Sequence, residues 1–401
     1  MGGLASFLCP PERSPEDRVE KTRKNKLVRF FMTGLGSAGK TTVIRQLLIL
    51  CKEKESYKLC DDQWNELKDL PEEDNDFWLL TVRTNIIDAL DLMIKQLQKE
   101  AATIPDEFEK IIQQLDEILE KTEDDSRELG IELDSEEFQS SLVKLFKSDL
   151  IQQVWKRRNL IRIENRKLFD GCEHFLTAEK VEAIFKPGYV VTHQDKLHAR
   201  KPTTDMHTYR IRINDIDLEI NDVGGQKSEL RKIVNHLDKF AHGHDGDENV
   251  SNYVLLVIPV SDFDVDHDEY EGTLLDECAS YMEHLMNVPV AKRCGLFIFF
   301  NKSDRFFAKL NDPECRGSIK YLSDNLTSRQ VSDFVATGKY KKRDMEKAVT
   351  AQFADIMKKI PDREYNTDTR MTCAVDSKMM DGLFSAIKSS IIEKDPSSVL
   401  S

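Results

Sequence analysis

No apolar run in this 401-residue chain approaches the roughly 18 residues that a membrane-spanning helix requires; the longest, residues 253–260, falls far short. A secretory leader is not expected either, because Pro10, Pro11 and several charged residues interrupt the N-terminus within a dozen positions. The eight cysteines (Cys9, Cys51, Cys60, Cys172, Cys278, Cys294, Cys315 and Cys373) form no C-x-x-C pair and show no zinc-ligand spacing, the pattern of reduced intracellular thiols. Basic charge is in short supply: 58 Lys and Arg face 72 Asp and Glu, and the formal net charge of -14 repels a phosphate backbone. Nucleic acid is therefore not an expected partner. What remains, 40% hydrophobic and 32% charged residues, is the composition of a soluble globular chain, and at roughly 150 residues per domain the length allows two or three units.

The acidity is confined to one stretch. Residues 51–150 hold 28 acidic and 12 basic side chains, net -16, whereas the first 50 residues hold 9 basic and 4 acidic, net +5. Within the acidic stretch Leu79, Val82, Ile86, Leu90, Met93 and Leu97 recur at intervals of three or four, as do Ile111, Leu115, Ile118 and Leu119. That spacing predicts a helical bundle with an acidic exterior. Short β-rich runs lie outside it, at 27–33, 209–213, 216–222, 253–260, 295–300 and 370–374, with helical stretches between them. Such alternation predicts an α/β fold whose mostly parallel sheet is covered by helices on both faces. The expected organisation is a discontinuous α/β domain over 27–54 and 193–395, with an all-α helical domain over 55–192 inserted into it. An N-terminal helix over 1–26 precedes this body, and a tail over 396–401 follows Pro396, which should stop the last helix.

The chemistry is carried by loops that follow predicted strands. Gly34-Leu35-Gly36-Ser37-Ala38-Gly39-Lys40-Thr41 has the form G-x-x-x-x-G-K-S/T between a strand and a helix. Backbone N–H groups of such a loop cradle phosphates, Lys40 reaches the β and γ groups, and the Thr41 hydroxyl ligates Mg²⁺. Asp222, in Asp222-Val223-Gly224-Gly225-Gln226, falls at a strand's carboxyl end, where it can hold Mg²⁺ through water. Gly225 would let the backbone approach a γ-phosphate, and Gln226 would orient the attacking water. Asn301-Lys302-Ser303-Asp304 has the N-K-x-D form, in which an aspartate accepts the N1 and N2 protons that guanine has and adenine lacks. Thr372-Cys373-Ala374 closes a later strand, where a backbone N–H would meet the base oxygen. An ATP-dependent P-loop kinase with a helical lid is disfavoured by the N-K-x-D loop.

With these loops in order, the sequence resembles the α subunits of heterotrimeric G proteins over nearly its whole length. Small GTPases share the loops but not the interval of 160 positions between Lys40 and Arg200, nor the run Pro187, Tyr189, Thr192, Gln194, Asp195, Leu197, Arg200, Thr203 and Thr204. Arg200 precedes Gln226 by the family's spacing of 26. The resemblance implies a Ras-like GTPase domain with an inserted helical domain, GTP as substrate and GDP as product. Arg200 would be a catalytic arginine finger supplied in cis, and Gln226 would position water. Thr203 would complete Mg²⁺ coordination with Thr41 and Asp222. The nucleotide would be held by residues 34–41, Thr42, Leu197, His198, Ala199, Arg200, Thr203, Asp222, Gly225, Asn301, Lys302, Asp304, Cys373 and Ala374. The implied partners are a βγ dimer, a G-protein-coupled receptor and an effector.

Several positions depart from that pattern. Ser37 stands where the family has a glutamate that pairs with the finger, Asp205 replaces a glycine and Pro202 a lysine, while Leu230 and Ile233 replace an arginine and a tryptophan. These departures motivate an alternative, a slowly cycling nucleotide-binding scaffold with impaired GTPase activity. Met1-Gly2-Gly3-Leu4-Ala5-Ser6 fits N-myristoylation at Gly2, and Cys9 offers a palmitoyl site. One acyl chain binds only marginally, so the basic residues Arg18, Lys21, Arg23, Lys24 and Lys26 would supply a second signal. The expected location is the cytoplasmic face of the plasma membrane, partly cytosolic. Two metal-like patterns are read as decoys. Asp262, Asp264, Asp266 and Asp268 alternate like an EF-hand but lack its glycine and glutamate. His242, His244, Asp245 and Asp247 read as a solvated loop.

Overall fold

The computed structural model describes residues 25–67, 74–121, 130, 132–163, 166–201, 206–225, 233–242, 249–267, 271–360 and 367–393. Gly2, Cys9, Thr203, Gln226, Leu230 and the tail beyond Pro396 lie outside them, as do His244, Asp245, Asp247 and Asp268. Among the described residues seven strands form one sheet: β1 (Lys26–Thr33), β2 (Tyr57–Cys60), β3 (His207–Ile213), β4 (Ile216–Asp222), β5 (Val250–Pro259), β6 (Gly295–Asn301) and β7 (Thr367–Met371). Their order is β2-β3-β4-β1-β5-β6-β7. The pairs from β4 through β1, β5 and β6 to β7 are parallel, and β2 with β3 and β3 with β4 are antiparallel.

Helix α1 (Lys40–Glu53) follows β1. Between β2 and β3 lie α2 (Asn75–Lys99), α3 (Glu109–Glu120), α4 (Glu136–Lys147), α5 (Asp149–Lys156), α6 (Cys172–Phe175), α7 (Ala178–Phe185) and α8 (His193–His198). Among the described residues the α-helices after β4 are α9 (Ile233–His242), α10 (Leu274–Asn287), α11 (Pro289–Lys292), α12 (Ser303–Asn311), α13 (Ser328–Thr337), α14 (Lys342–Lys359) and α15 (Ser377–Glu393).

Period-two alternation divides the sheet's side chains between two cores. Val28, Phe30 and Met32 of β1 pack with Val43, Ile44 and Leu47 of α1 and Met380 and Phe384 of α15. Phe31 points the other way, into a core with Leu237 of α9, Met282 of α10 and Phe353 of α14. Ile233 also belongs there and is buried. The insertion has its own core: Val82, Ile86, Leu90, Met93 and Leu97 of α2 meet Leu115, Phe138, Leu142 and Phe185. The predicted helical face of α2 is therefore the buried one, and a fully buried side chain of this size is worth about 1.5–3 kcal/mol.

Two sequence expectations need correction. Tyr57–Cys60, assigned to the 55–192 helical segment, is a sheet strand paired antiparallel with β3. It is a four-residue edge strand with only its end residues buried, too short for a periodic signal. The β-rich run 370–374 predicts a strand ending at Ala374, but β7 ends at Met371. Beyond it the chain leaves the ladder because the Ala374 N–H and the Thr372 hydroxyl donate to Asn301 Oδ1, at 3.1 and 3.3 Å.

Candidate functional site

The carboxyl ends of β1, β4 and β6 carry the loops singled out by sequence. Gly36, Ser37, Ala38, Gly39, Lys40, Thr41 and Thr42, together with Leu197, His198, Ala199 and Arg200, Gly225, and Asn301, Lys302, Asp304 and Ala374, line one cleft of about 350 Å³. Gly34, Leu35, Asp222 and Cys373 are not among the lining residues, but the carbonyls of Gly34 and Leu35 accept from Lys40 and Asp222 accepts from Thr41. Two glycines are required by geometry. Gly39 sits at φ 95°, with Asn301 Nδ2 2.3 Å from where a Cβ would be. A Cβ on Gly225 would lie 2.7 Å from Gly34 O and 2.8 Å from Leu35 C, backbone atoms that cannot swing away.

At the phosphate end, Lys40 begins α1 and its ammonium donates to the carbonyls of Gly34 at 2.8 Å and Leu35 at 3.3 Å. Burial lowers its pKa to about 8, despite the opposing carboxylate of Asp222. If a nucleotide's phosphates meet Lys40, they favour its charged form, and the bound protein should keep a proton that the free protein loses above about pH 8. GDP affinity is expected to be level below that pH and to fall above it by up to ~10-fold per pH unit, one proton per nucleotide. Titrations between about pH 7 and pH 9 that show no decline reject this assignment.

Asp222 ends β4, and the Thr41 hydroxyl donates to its Oδ2 at 3.4 Å. Its other oxygen, Oδ1, is buried and has no hydrogen-bond partner among the described residues. Burial raises this carboxyl to about 6, with Lys40 opposing the rise. A half-satisfied buried carboxylate beside a hydroxyl fits a hard cation such as Mg²⁺, which takes oxygen ligands, some through water.

At the base end, Asn301 Nδ2 donates to Ala38 O at 2.9 Å while its Oδ1 accepts from Ala374 N–H. Asn301 thus joins the phosphate loop, the N-K-x-D loop and the 372–374 loop. Asp304 lies in the first turn of α12 with its side chain exposed to the cleft. Burial and the adjacent Asp304 carboxylate push the Cys373 thiol up to about 12, so it stays protonated.

Sequence reasoning missed the wall contributed by the insertion. Lys167, Asp170 and Gly171 line the cleft opposite Lys302 and Asp262. Asp170 pairs with Lys302 and, at 3.2 Å, with Lys167, which also pairs with Asp262. Burial alone would raise the Asp170 carboxyl, but the Lys167 and Lys302 ammoniums hold it far below the usual carboxylate range. Beside this cluster Glu173 pairs with Arg305 and, at 2.6 Å, with Arg158, and Asn159 Nδ2 donates to Asp312 at 2.9 Å. Asp264 is occupied by Lys309, and Asp266 accepts from the Tyr321 hydroxyl at 2.8 Å. On the insertion's side, Lys167, Asp170 and Glu173 carry no periodic or motif signal; only the folded chain brings them to Asp262, Lys302 and Arg305.

The segment entering residue 200 is held from two sides. The Thr192–Asp195 capping box starts α8, and the buried Asp195 also accepts from His174 and Tyr189, both at 2.7 Å. Arg45 of α1 donates to Lys196 O at 2.8 Å and Ala199 O at 3.2 Å. From α2, Asn85 Oδ1 accepts the Arg200 N–H at 2.7 Å and its Nδ2 donates to Arg200 O at 3.1 Å. The Arg200 side chain is exposed at the cleft.

A phosphate-binding loop, a buried carboxylate beside it and an N-K-x-D loop, at the carboxyl ends of β1, β4 and β6, define a P-loop guanine-nucleotide-binding protein. The model of the G-protein alpha subunit family matches residues 12–391, nearly the whole chain. The chain belongs to that family, whose members are GTPases, and its role is that of a guanine-nucleotide-dependent signalling subunit. It is similar to the guanine nucleotide-binding protein alpha-6 subunit of Dictyostelium discoideum, 24% identical over 397 residues that cover 96% of this chain and 98% of the relative. It is also similar to the alpha-17 subunits of Caenorhabditis briggsae and Caenorhabditis elegans, each 24% identical over 384 residues covering 94% of this chain and 91% of the relative.

Proposed function

We propose that this chain is a Mg²⁺-dependent switch that hydrolyses GTP to GDP as the α subunit of a heterotrimer, relaying signals from a G-protein-coupled receptor to an intracellular effector. The observation that carries the reading is that Arg200, reached only after the inserted helices, lines the same cleft as Lys40 and Thr41. In this reading Lys40 and the loop N–H groups hold the β- and γ-phosphates, Asp304 accepts the guanine protons, and Gln226 orients the attacking water. Thr41, Thr203 and Asp222 would hold the metal, Asp222 through water. When bound, the ion supplies positive charge to the phosphate oxygens. Arg200 would meet the charge that the transition state spreads over the γ-phosphoryl oxygens and the leaving oxygen, which takes the electron pair as its bond to phosphorus breaks. The βγ dimer and the membrane are assigned to the N-terminus. There Gly2 would carry a myristoyl chain, Cys9 a palmitoyl chain, and the net charge of +5 over the first 50 residues would favour the anionic cytosolic leaflet.

A second reading, a slowly cycling scaffold that stays nucleotide-bound, draws on Ser37 and on the ion pairs that join Lys167 and Asp170 to Asp262 and Lys302. Single-turnover phosphate release separates the two. Protein preloaded with GTP should release phosphate in the presence of excess ATP and stop when EDTA removes the metal. Loss of loading under ATP would restore an ATP-dependent enzyme, and GTP that stays intact with Mg²⁺ present would leave the scaffold.

A further inference from the structure

We propose that Asn85, in α2 of the helical insertion, is a positioning residue for GTP hydrolysis that acts by aiming Arg200. The inference rests on the reading of Arg200 as the arginine finger. Both ends of the Asn85 amide are committed to the two backbone groups of that one residue: Oδ1 accepts its N–H at 2.7 Å and Nδ2 donates to its C=O at 3.1 Å. A primary amide bonded to both groups fixes the local backbone as a neighbouring strand would, and so fixes the direction in which the Cα–Cβ bond leaves the chain.

The surrounding contacts show what the clamp adds. Arg45 donates to the carbonyls of Lys196 and Ala199, which steadies the turn that leads into residue 200. Two turns earlier in α2, the Phe77 ring lies 4.1 Å from Lys201 Nζ, an exposed contact that holds a side chain and not the backbone. Among the described residues the Arg200 guanidinium itself has no partner. Ser37, on the phosphate loop beside the cleft, has no carboxylate with which to hold it. The direction of the finger is therefore set through its backbone, and Asn85 is the side chain bonded there.

Positional error of about 1 Å costs up to ~100-fold in rate when a reaction depends on preorganised charge. In single-turnover assays of preloaded GTP, Asn85→Leu should slow phosphate release by about 10- to 100-fold. Asn85→Asp, which keeps the acceptor and loses the donor, should fall between it and the wild type. The deciding arm is the double variant. In an Arg200→Cys background Asn85→Leu should cause no further slowing, because there is no finger left to aim. Thermal melts and GDP affinity accompany each variant, and Asn85→Asp replaces Asn85→Leu if the latter does not fold.

Equal slowing in both backgrounds would overturn the proposal by making Asn85 a general structural contact, as would no slowing in either. If Arg200→Cys itself hydrolyses at the wild-type rate, the reading of Arg200 fails and takes this inference with it. If Arg200→Cys slows hydrolysis and Asn85→Leu does not, only the inference falls.

Discussion

Arg200→Cys should slow hydrolysis of bound GTP by ~10³-fold, the lower end of the general range for arginine fingers, of which those supplied in cis by G protein α subunits are a standard instance. That factor corresponds to about 4 kcal/mol of transition-state stabilisation. The loss should fall on the chemical step and leave nucleotide affinity nearly unchanged. Lys40, buried behind the phosphate loop, and the Asn301-centred bonds at the base end remain in place in the variant. Arg200 is exposed at the cleft, and its backbone bonds to Asn85 do not depend on its side chain. Measured on preloaded protein, a fall in rate with unchanged GTP affinity fits a group that meets charge only as it develops. A fall in affinity with an unchanged rate would assign Arg200 to ground-state binding instead.

Asp304→Ala should remove most of the preference for guanine over adenine. A carboxylate accepting two ring protons of guanine makes two charge-assisted hydrogen bonds, each worth about 1.5–3 kcal/mol. Their loss predicts a GTP affinity lower by about 10²- to 10⁴-fold, with ATP binding little changed. The substitution is well placed as a test because Asp304 is exposed to the cleft, whereas neighbouring Asn301 is buried and joins three loops. Asn301→Ala would confuse base recognition with loop assembly. Competition between GTP and ATP for the purified variant reads the ratio directly, and a retained guanine preference would move base selection away from Asp304.

Much of the site was legible before folding because its chemistry is local. A phosphate loop needs glycines and a lysine at fixed spacing, and Gly39 at φ 95° and Lys40 at the start of α1 satisfy that need within a few residues. The same holds for Asp222, Asn301 and Asp304, each within a few residues of a strand's end. The insertion was legible as helices because Val82, Ile86, Leu90 and Met93 repeat at the helical period.

Other features were not legible, for a different reason. The edge strand at 57–60 is too short for its alternation to register, and it exists because β3 offers it a ladder. Lys167, Asp170 and Asn85 sit among many similar polar residues in the insertion. Nothing local distinguishes the Asn85 amide on Arg200 from a solvated side chain, since its partner is 115 positions away. The sequence determined the nucleotide class, the fold class and the existence of the inserted domain, because backbone conformation and burial periodicity are written within one segment. The tertiary structure alone decided how the insertion closes over the cleft and which residues hold Arg200. Those depend on hydrogen bonds and ion pairs between segments far apart in the chain, and such pairs form only when packing brings them together.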